Sequence, residues 1–133
     1  MKFKETFLFT KSFELYLGVQ SLIDSISELD PYSRNNVKNA FLDITVNASN
    51  CDSRLDFEEY NDRMLQVKSA VNKCIILLDI ITHQLGIQFQ KQITVLEELS
   101  MEIDEKLFKV MTVEEMNEIC ELALEELKRE KNN

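Results

Sequence analysis

Residues that interrupt helices are scarce in this chain, which has two glycines and one proline among its 133 residues. A fold of many strands, or of alternating strands and helices, needs more of these residues at its turns. The glycine-rich loops that hold phosphates, GxGxxG and GxxxxGK[ST], do not occur. Because Glu, Lys and Leu are abundant, the composition predicts an all-α protein. The length predicts a single domain whose core is stable without disulfides or metal.

Residue patterns typical of catalysis or metal binding are also missing. His83 is the only histidine, and no Ser or Cys stands at an informative spacing from it. Bundle di-metal sites need two Glu-x-x-His pairs, which one histidine cannot supply. The sequence therefore predicts that the protein is not an enzyme and has no cofactor or metal. Asp79 lies four positions before His83, a spacing that allows a hydrogen bond on one helical face or a polar contact inside an oligomer.

Long apolar runs are absent too, since no segment reaches the roughly 18 residues that span a bilayer. The apolar stretch Phe7–Phe9 is shorter than the core of a signal peptide. An odd number of cysteines without a CxxC pair is typical of a reducing compartment. Cys51, Cys74 and Cys120 fall on apolar helical positions and are expected in the core. These features predict a soluble, cytoplasmic protein with no membrane contact.

Negative charge dominates, with a formal net charge of -9 that is unevenly distributed. Residues 97–133 contain 12 acidic and 5 basic side chains, whereas residues 1–96 contain 12 and 10. An acidic surface disfavours non-specific nucleic-acid binding by the whole molecule. Six basic residues nevertheless fall on two predicted helices and their loop. They form either a phosphate-binding strip or scattered solubilising charge: Arg34, Lys38, Arg54, Arg63, Lys68 and Lys73.

Helical periodicity is the strongest positive signal. Between Phe57 and Leu85 an apolar residue returns every three or four positions, which predicts one long helix with a single apolar stripe. Shorter stripes predict four more helices, over residues 13–29, 31–51, 88–110 and 112–129. Residues 1–11 fit either an extended arm or the first turn of a helix.

Capping signals support these boundaries. Asp30 before Pro31 and Asp56 before a Glu three positions on are N-cap patterns, and Thr112 begins a third. Gly86 is the expected left-handed residue at the end of the long helix. Short loops favour an antiparallel up-down four-helix bundle over residues 1–111, including an N-terminal arm. An additional acidic C-terminal helix follows over residues 112–133, and three placements stay open: it continues the fourth helix, folds back on the bundle or reaches a partner.

One segment has more apolar surface than a bundle core requires. Cys74–Ile81 is apolar on every side except at Asp79, which indicates cover by its own domain or by another subunit. Closed rings with head-to-tail contacts bury such surface. The predicted oligomer interface consists of five residues: Phe7, Phe9, Ile76, Leu77 and Ile80.

The order of features resembles a known superfamily. The Leu15-Tyr16 pair in the first helix is followed by the acidic-proline turn 29–34. A polar helix then ends in the small-residue segment 44–50, and Phe57-Glu58-Glu59-Tyr60 opens the long helix. Over roughly residues 12 to 110 this is similar to the four-helix-bundle proteins encoded in intervening sequences of bacterial 23S ribosomal RNA genes. It is equally similar to the accessory variability determinant proteins of diversity-generating retroelements.

The resemblance implies a ring-forming subunit, commonly a pentamer with a central channel. It also implies a partner reverse transcriptase, with its template RNA, in error-prone cDNA synthesis. The retroelement branch uses a basic surface for RNA, and the acidic charge here departs from that pattern. The chain is thus expected to form a homo-oligomer, or a mixed oligomer with a basic paralogue. Two alternatives stay open: direct RNA or DNA binding through the six basic residues, and a helical adaptor that binds an unrelated protein through its acidic last helix.

Overall fold

The computed structural model describes residues 6–51 and 55–131, and the side chains of all of these except 108–115. It contains four helices and no strand within those ranges: α1 (Phe7–Asp24), α2 (Pro31–Ser49), α3 (Phe57–Leu85) and α4 (Gln90–Lys131). Each helix packs against the next and α1 packs against α4, whereas the backbones of α1 and α3, and of α2 and α4, stay more than 8 Å apart between Cα atoms in the described ranges. The predicted all-α, up-down four-helix bundle is therefore confirmed.

The predicted capping residues begin α2 and α3 and end α3, whereas α2 ends at Ser49, two residues before its predicted end. Asp30 Oδ1 accepts a hydrogen bond from the Ser33 backbone N–H at 2.7 Å, and this bond lowers the pKa of the Asp30 carboxyl. Asp56 Oδ1 accepts from the Glu59 N–H at 2.9 Å. Gly86 ends α3 with φ 73°, a left-handed conformation that a Cβ would strain.

The first helix differs from its predicted boundaries. It begins at Phe7 because Thr6 caps it, the Thr6 hydroxyl accepting a hydrogen bond from the Phe9 N–H at 3.2 Å. The described part of residues 1–11 is therefore helical from Phe7 onward and not an extended arm; residues 1–5 lie outside the described ranges. The helix ends at Asp24, five residues early, and the turn that follows still buries Ile26 and Leu29 in the core.

The core lies between the four helices and is supplied by the predicted stripes. Six residues of the α3 stripe are buried: Met64, Val67, Val71, Cys74, Leu78 and Ile81. From α2 they meet Val37, Phe41, Ile44 and Ala48, and from α4 Leu96, Leu99, Ile103 and Leu107. Because α3 neighbours both α2 and α4, burying its stripe fixes which of its residues face outward.

A buried polar contact joins α1 to α2 inside this apolar core. Thr45 Oγ1 donates to Ser12 Oγ at 3.0 Å, and Ser12 Oγ donates to the Phe9 carbonyl at 3.1 Å. Both hydroxyls are buried, so each needs a partner to offset the loss of water. The pair therefore favours one register between the two helices.

The additional C-terminal helix that the sequence predicts is the last part of α4. The Thr112 capping pattern does not begin a new helix, because α4 runs unbroken from Gln90 to Lys131. No glycine or proline interrupts this stretch, and most of its residues are good helix formers. Residues 116–131 are exposed throughout. Cys120 is therefore exposed, and its predicted place in the core was wrong.

The Ser12–Thr45 contact gives a first prediction. We expect Ser12→Ala and Thr45→Val each to lower the free energy of unfolding by about 1 kcal/mol, since each removes one partner of a buried hydroxyl. The double variant should lose less than the sum, with a coupling of about 0.5–1.5 kcal/mol. Urea denaturation measures all four proteins. The exposed Ser21→Ala is the control and should change little, while additive losses would show that the contact is absent.

Candidate functional site

The outward face of α3 carries an exposed apolar surface, here called the α3 patch: Leu65, Ile76, Leu77 and Ile80. These residues lie opposite the buried stripe on the same helix. Ile76 is 58% exposed and Ile80 46%, whereas Leu77 is half-buried. Ser69 and Asn72 have short side chains between Leu65 and Ile76, so the patch includes a shallow groove of about 450 Å³. Lys68 and Lys73 also line this open groove, so its apolar floor has a basic rim.

A second apolar surface lies on α1 and is called the α1 patch: Phe7, Phe13 and Leu17. Phe13 is 42% exposed and Leu17 49%. Phe9 stacks on Phe13, with ring centroids 6.1 Å apart and planes 7° from parallel. This stacking restricts the orientation of the Phe13 ring at the edge of the patch.

The two patches face in different directions. No Cα atom of α1 lies within 8 Å of one in α3 in the described ranges, so the two helices occupy opposite corners of the bundle. Their outward faces therefore point away from each other. One copy can present its α1 patch to the α3 patch of the next copy, which is a head-to-tail contact between two different surfaces.

Of the five residues predicted for an oligomer interface, the structure exposes three, namely Phe7, Ile76 and Ile80. Sequence reasoning missed Phe13, Leu17 and Leu65. Placing the helical stripes on a wheel would have shown all three on the side opposite the core. They were overlooked because single apolar residues on a polar face are common and do not form a run.

The six basic residues do not form one continuous strip. Arg34 Nη2 donates to the Ile26 carbonyl at 2.9 Å, and Lys38 pairs with Asp24 at 2.5 Å, so both lie on the α1 side of α2. Lys68 instead pairs with Asp104 on α4.

The other three basic residues do not complete the predicted phosphate-binding strip. Arg63 and Lys73 are exposed on α3, and Lys73 borders the α3 groove. Arg54 lies outside the described ranges. Three of the six positive charges thus serve contacts within the chain, which leaves few of them for a phosphate backbone.

The other polar candidates form no catalytic arrangement in the part of the chain that the structure describes. Asp79 and His83 are both exposed, and no hydrogen bond joins them among those residues. The same residues contain no cluster of three or more His, Cys, Asp or Glu side chains able to hold a metal ion. None of the described helices combines the length and apolarity needed to cross a bilayer.

The two buried thiols, Cys51 and Cys74, have raised pKa values. Burial raises the pKa of the Cys51 thiol to about 11 and that of Cys74 to about 12. At neutral pH both therefore stay protonated, and the thiolate is the nucleophilic form.

Comparisons with protein-family models, with curated protein sequences and with solved structures found no match to the chain.

Cysteine reactivity gives a second prediction. At sub-micromolar protein concentration and pH 7.5, we expect a maleimide to label Cys120 quickly and Cys51 and Cys74 at least about 100-fold more slowly, because the buried thiols are shielded and protonated. Mass spectrometry of the peptides over time measures each rate. In Cys120→Ser the fast phase should disappear. Equal labelling of all three cysteines would contradict the buried positions of the first two.

Proposed function

We propose that this protein is a non-enzymatic subunit of a head-to-tail ring that serves as an accessory to a reverse transcriptase. The observation that carries the assembly is the pair of apolar patches on opposite corners of one bundle. Two different complementary surfaces on one chain generate either a closed ring or an open filament. The sequence resemblance favours the ring.

The shapes of the patches suit this contact. The α1 patch offers the exposed side chains of Phe13 and Leu17, while the α3 patch has a groove between Leu65 and Ile76. Burying a large apolar side chain contributes about 1.5–3 kcal/mol, so three or four such residues give a modest gain against the cost of association. A single contact is therefore weak. Ring closure strengthens the assembly because every subunit then makes two contacts.

The role beside a reverse transcriptase rests on the resemblance together with the charge. The chain has a net charge of -9, and Arg34, Lys38 and Lys68 are held in contacts within the chain. Both observations favour protein partners over direct RNA contact. Template RNA would then be held by the reverse transcriptase or by a basic paralogue in a mixed ring.

Complementary variants test the head-to-tail contact and give a third prediction. Leu17→Glu disables the α1 patch and Ile76→Glu disables the α3 patch, each by placing a charge in the apolar contact. We expect self-association of each variant to weaken by about 30-fold or more, equivalent to about 2 kcal/mol. When the two are mixed, each still has one intact patch, so the mixture should associate more strongly than either variant alone. Sedimentation velocity with one variant labelled measures all three combinations.

The matched control is Met101→Glu, the same kind of substitution at an exposed residue of α4 outside both patches. It should associate like the unmodified chain. If Leu17→Glu has no effect on association while Ile76→Glu abolishes it, the contact joins two α3 patches, and the head-to-tail arrangement is wrong. A mixture no stronger than its components would contradict it as well.

The partner is tested separately. We expect a reverse transcriptase gene with repeated variable regions beside the gene for this chain, and co-purification of that enzyme with the chain after co-expression. Ile76→Glu should reduce recovery of the enzyme if the assembled ring is the binding form.

Titration with labelled RNA at two salt concentrations should give weak binding by the chain alone. Tight, salt-sensitive RNA binding would favour a direct nucleic-acid-binding role instead.

A further inference from the structure

The last four turns of α4 carry an apolar seam without a partner in the described chain. Its residues are spaced four, three and four apart: Met116, Cys120, Ala123 and Leu127. All are exposed, Met116 at 59% and Leu127 at 55%. A 4-3-4 spacing places them on one stripe and matches the a and d positions of a coiled coil, with Met116 and Ala123 at d and Cys120 and Leu127 at a.

The residues beside this seam indicate what covers it. In the same heptad register, Ile119 and Glu126 occupy g positions, and Asn117, Leu124 and Lys131 occupy e positions. The d position that follows Leu127 is Glu130, so the apolar part of the seam ends at Leu127. In a parallel pair, each g residue faces the e residue five positions later on the partner helix. Ile119 then meets Leu124 of the second copy, and Glu126 meets Lys131. Apolar residues face apolar residues, and opposite charges face each other.

The antiparallel arrangement lacks this complementarity. With the four seam layers aligned, g residues face g residues and e residues face e residues. Glu126 then lies beside Ile119, and Leu124 lies beside Asn117. This would desolvate a carboxylate against an apolar side chain and leave apolar area beside an amide. Self-complementarity thus selects the parallel orientation.

We propose that residues 116–131 form a parallel coiled coil with the same segment of a second copy of this chain. The inference goes beyond the proposed ring and does not rest on it, because it uses a different surface and needs no reverse transcriptase. Parallel seams are compatible with rotational symmetry, in which all copies of a helix run in the same direction along the axis. Apolar residues at both e and g widen the interface.

The seam is short and two of its four layers are small, since Cys120 and Ala123 bury little area. Association is therefore weak and depends on protein concentration. This explains how the segment can stay exposed in a single chain and still be covered in an assembly.

A matched pair of variants tests the seam and gives a fourth prediction. The background is the double variant Leu17→Glu/Ile76→Glu, in which the α1 and α3 patches are disabled, checked by circular dichroism for a folded bundle. In it, the mass measured by sedimentation velocity should still rise with concentration. Leu127→Glu, which places a charge in the seam, should weaken this association at least tenfold. Leu122→Glu changes a residue of similar exposure, 65%, outside the seam and should leave it unchanged.

The orientation has its own test in the same background. Glu126→Lys and Lys131→Glu should each weaken association, and the double swap should restore it, with a coupling of about two- to tenfold for the two symmetric pairs. These residues are five apart and do not face each other on one helix, so coupling between them shows that they meet across two helices. Cys120 labelling should also slow as concentration rises.

A background variant that stays monomeric at all concentrations, or equal effects of Leu127→Glu and Leu122→Glu, would overturn the seam. Restored association would support the seam even if the ring proposal failed, because the α1 and α3 patches are disabled in every protein of this experiment. Weakening by the two charge variants without restoration by the double swap would overturn the parallel orientation.

Discussion

Burial of the α3 stripe between α2 and α4 is the constraint on which the rest of this structure depends. Residues from Met64 to Ile81 return to the core every three or four positions, so the helix has no freedom to rotate about its axis. With that rotation fixed, Ile76 and Ile80 must face away from the core. The outward apolar surface is therefore a consequence of the packing inside the bundle, and no described residue of the chain covers it.

The α1 patch, the α3 patch and the seam on α4 differ in what fixes the position of their side chains. The α1 and α3 patches belong to helices anchored by core contacts, and the Phe9–Phe13 stack and the Ser12–Thr45 contact hold α1 in register. The seam on residues 116–131 is different, because its side chains are exposed and do not pack against the core. In the proposed assembly, the two anchored patches would set the geometry of the ring, and the seam would add a weaker contact that depends on protein concentration.

Much of the fold could be predicted from the sequence because its signals are local. Asp30, Asp56 and Gly86 act within one turn of chain, and the α3 stripe needs no knowledge of its neighbours. The start of α1 was harder, since Thr6 is a weak signal beside three phenylalanines. The sequence left open whether the last helix continues the fourth, because the Thr112 pattern resembles a cap. A cap begins a helix only where the preceding chain leaves the helical conformation, and α4 stays helical there.

The candidate site could also be predicted only as far as its signals are local. Periodicity identifies the α3 patch, but the pairing of Lys38 with Asp24 and of Lys68 with Asp104 depends on which helices are neighbours. Cys120 fits an apolar stripe, and its exposure follows from the absence of a facing helix within the described chain. A stripe therefore predicts that a residue will be covered, but it does not say by which molecule.

The most direct test of this account is the molar mass of the unmodified chain in solution. The monomer is 15.6 kDa. Sedimentation equilibrium at tens of micromolar should give one dominant species at an integral multiple of that mass, because the α1 and α3 patches are then buried between copies. A single species at the monomer mass throughout that concentration range would contradict the central claim.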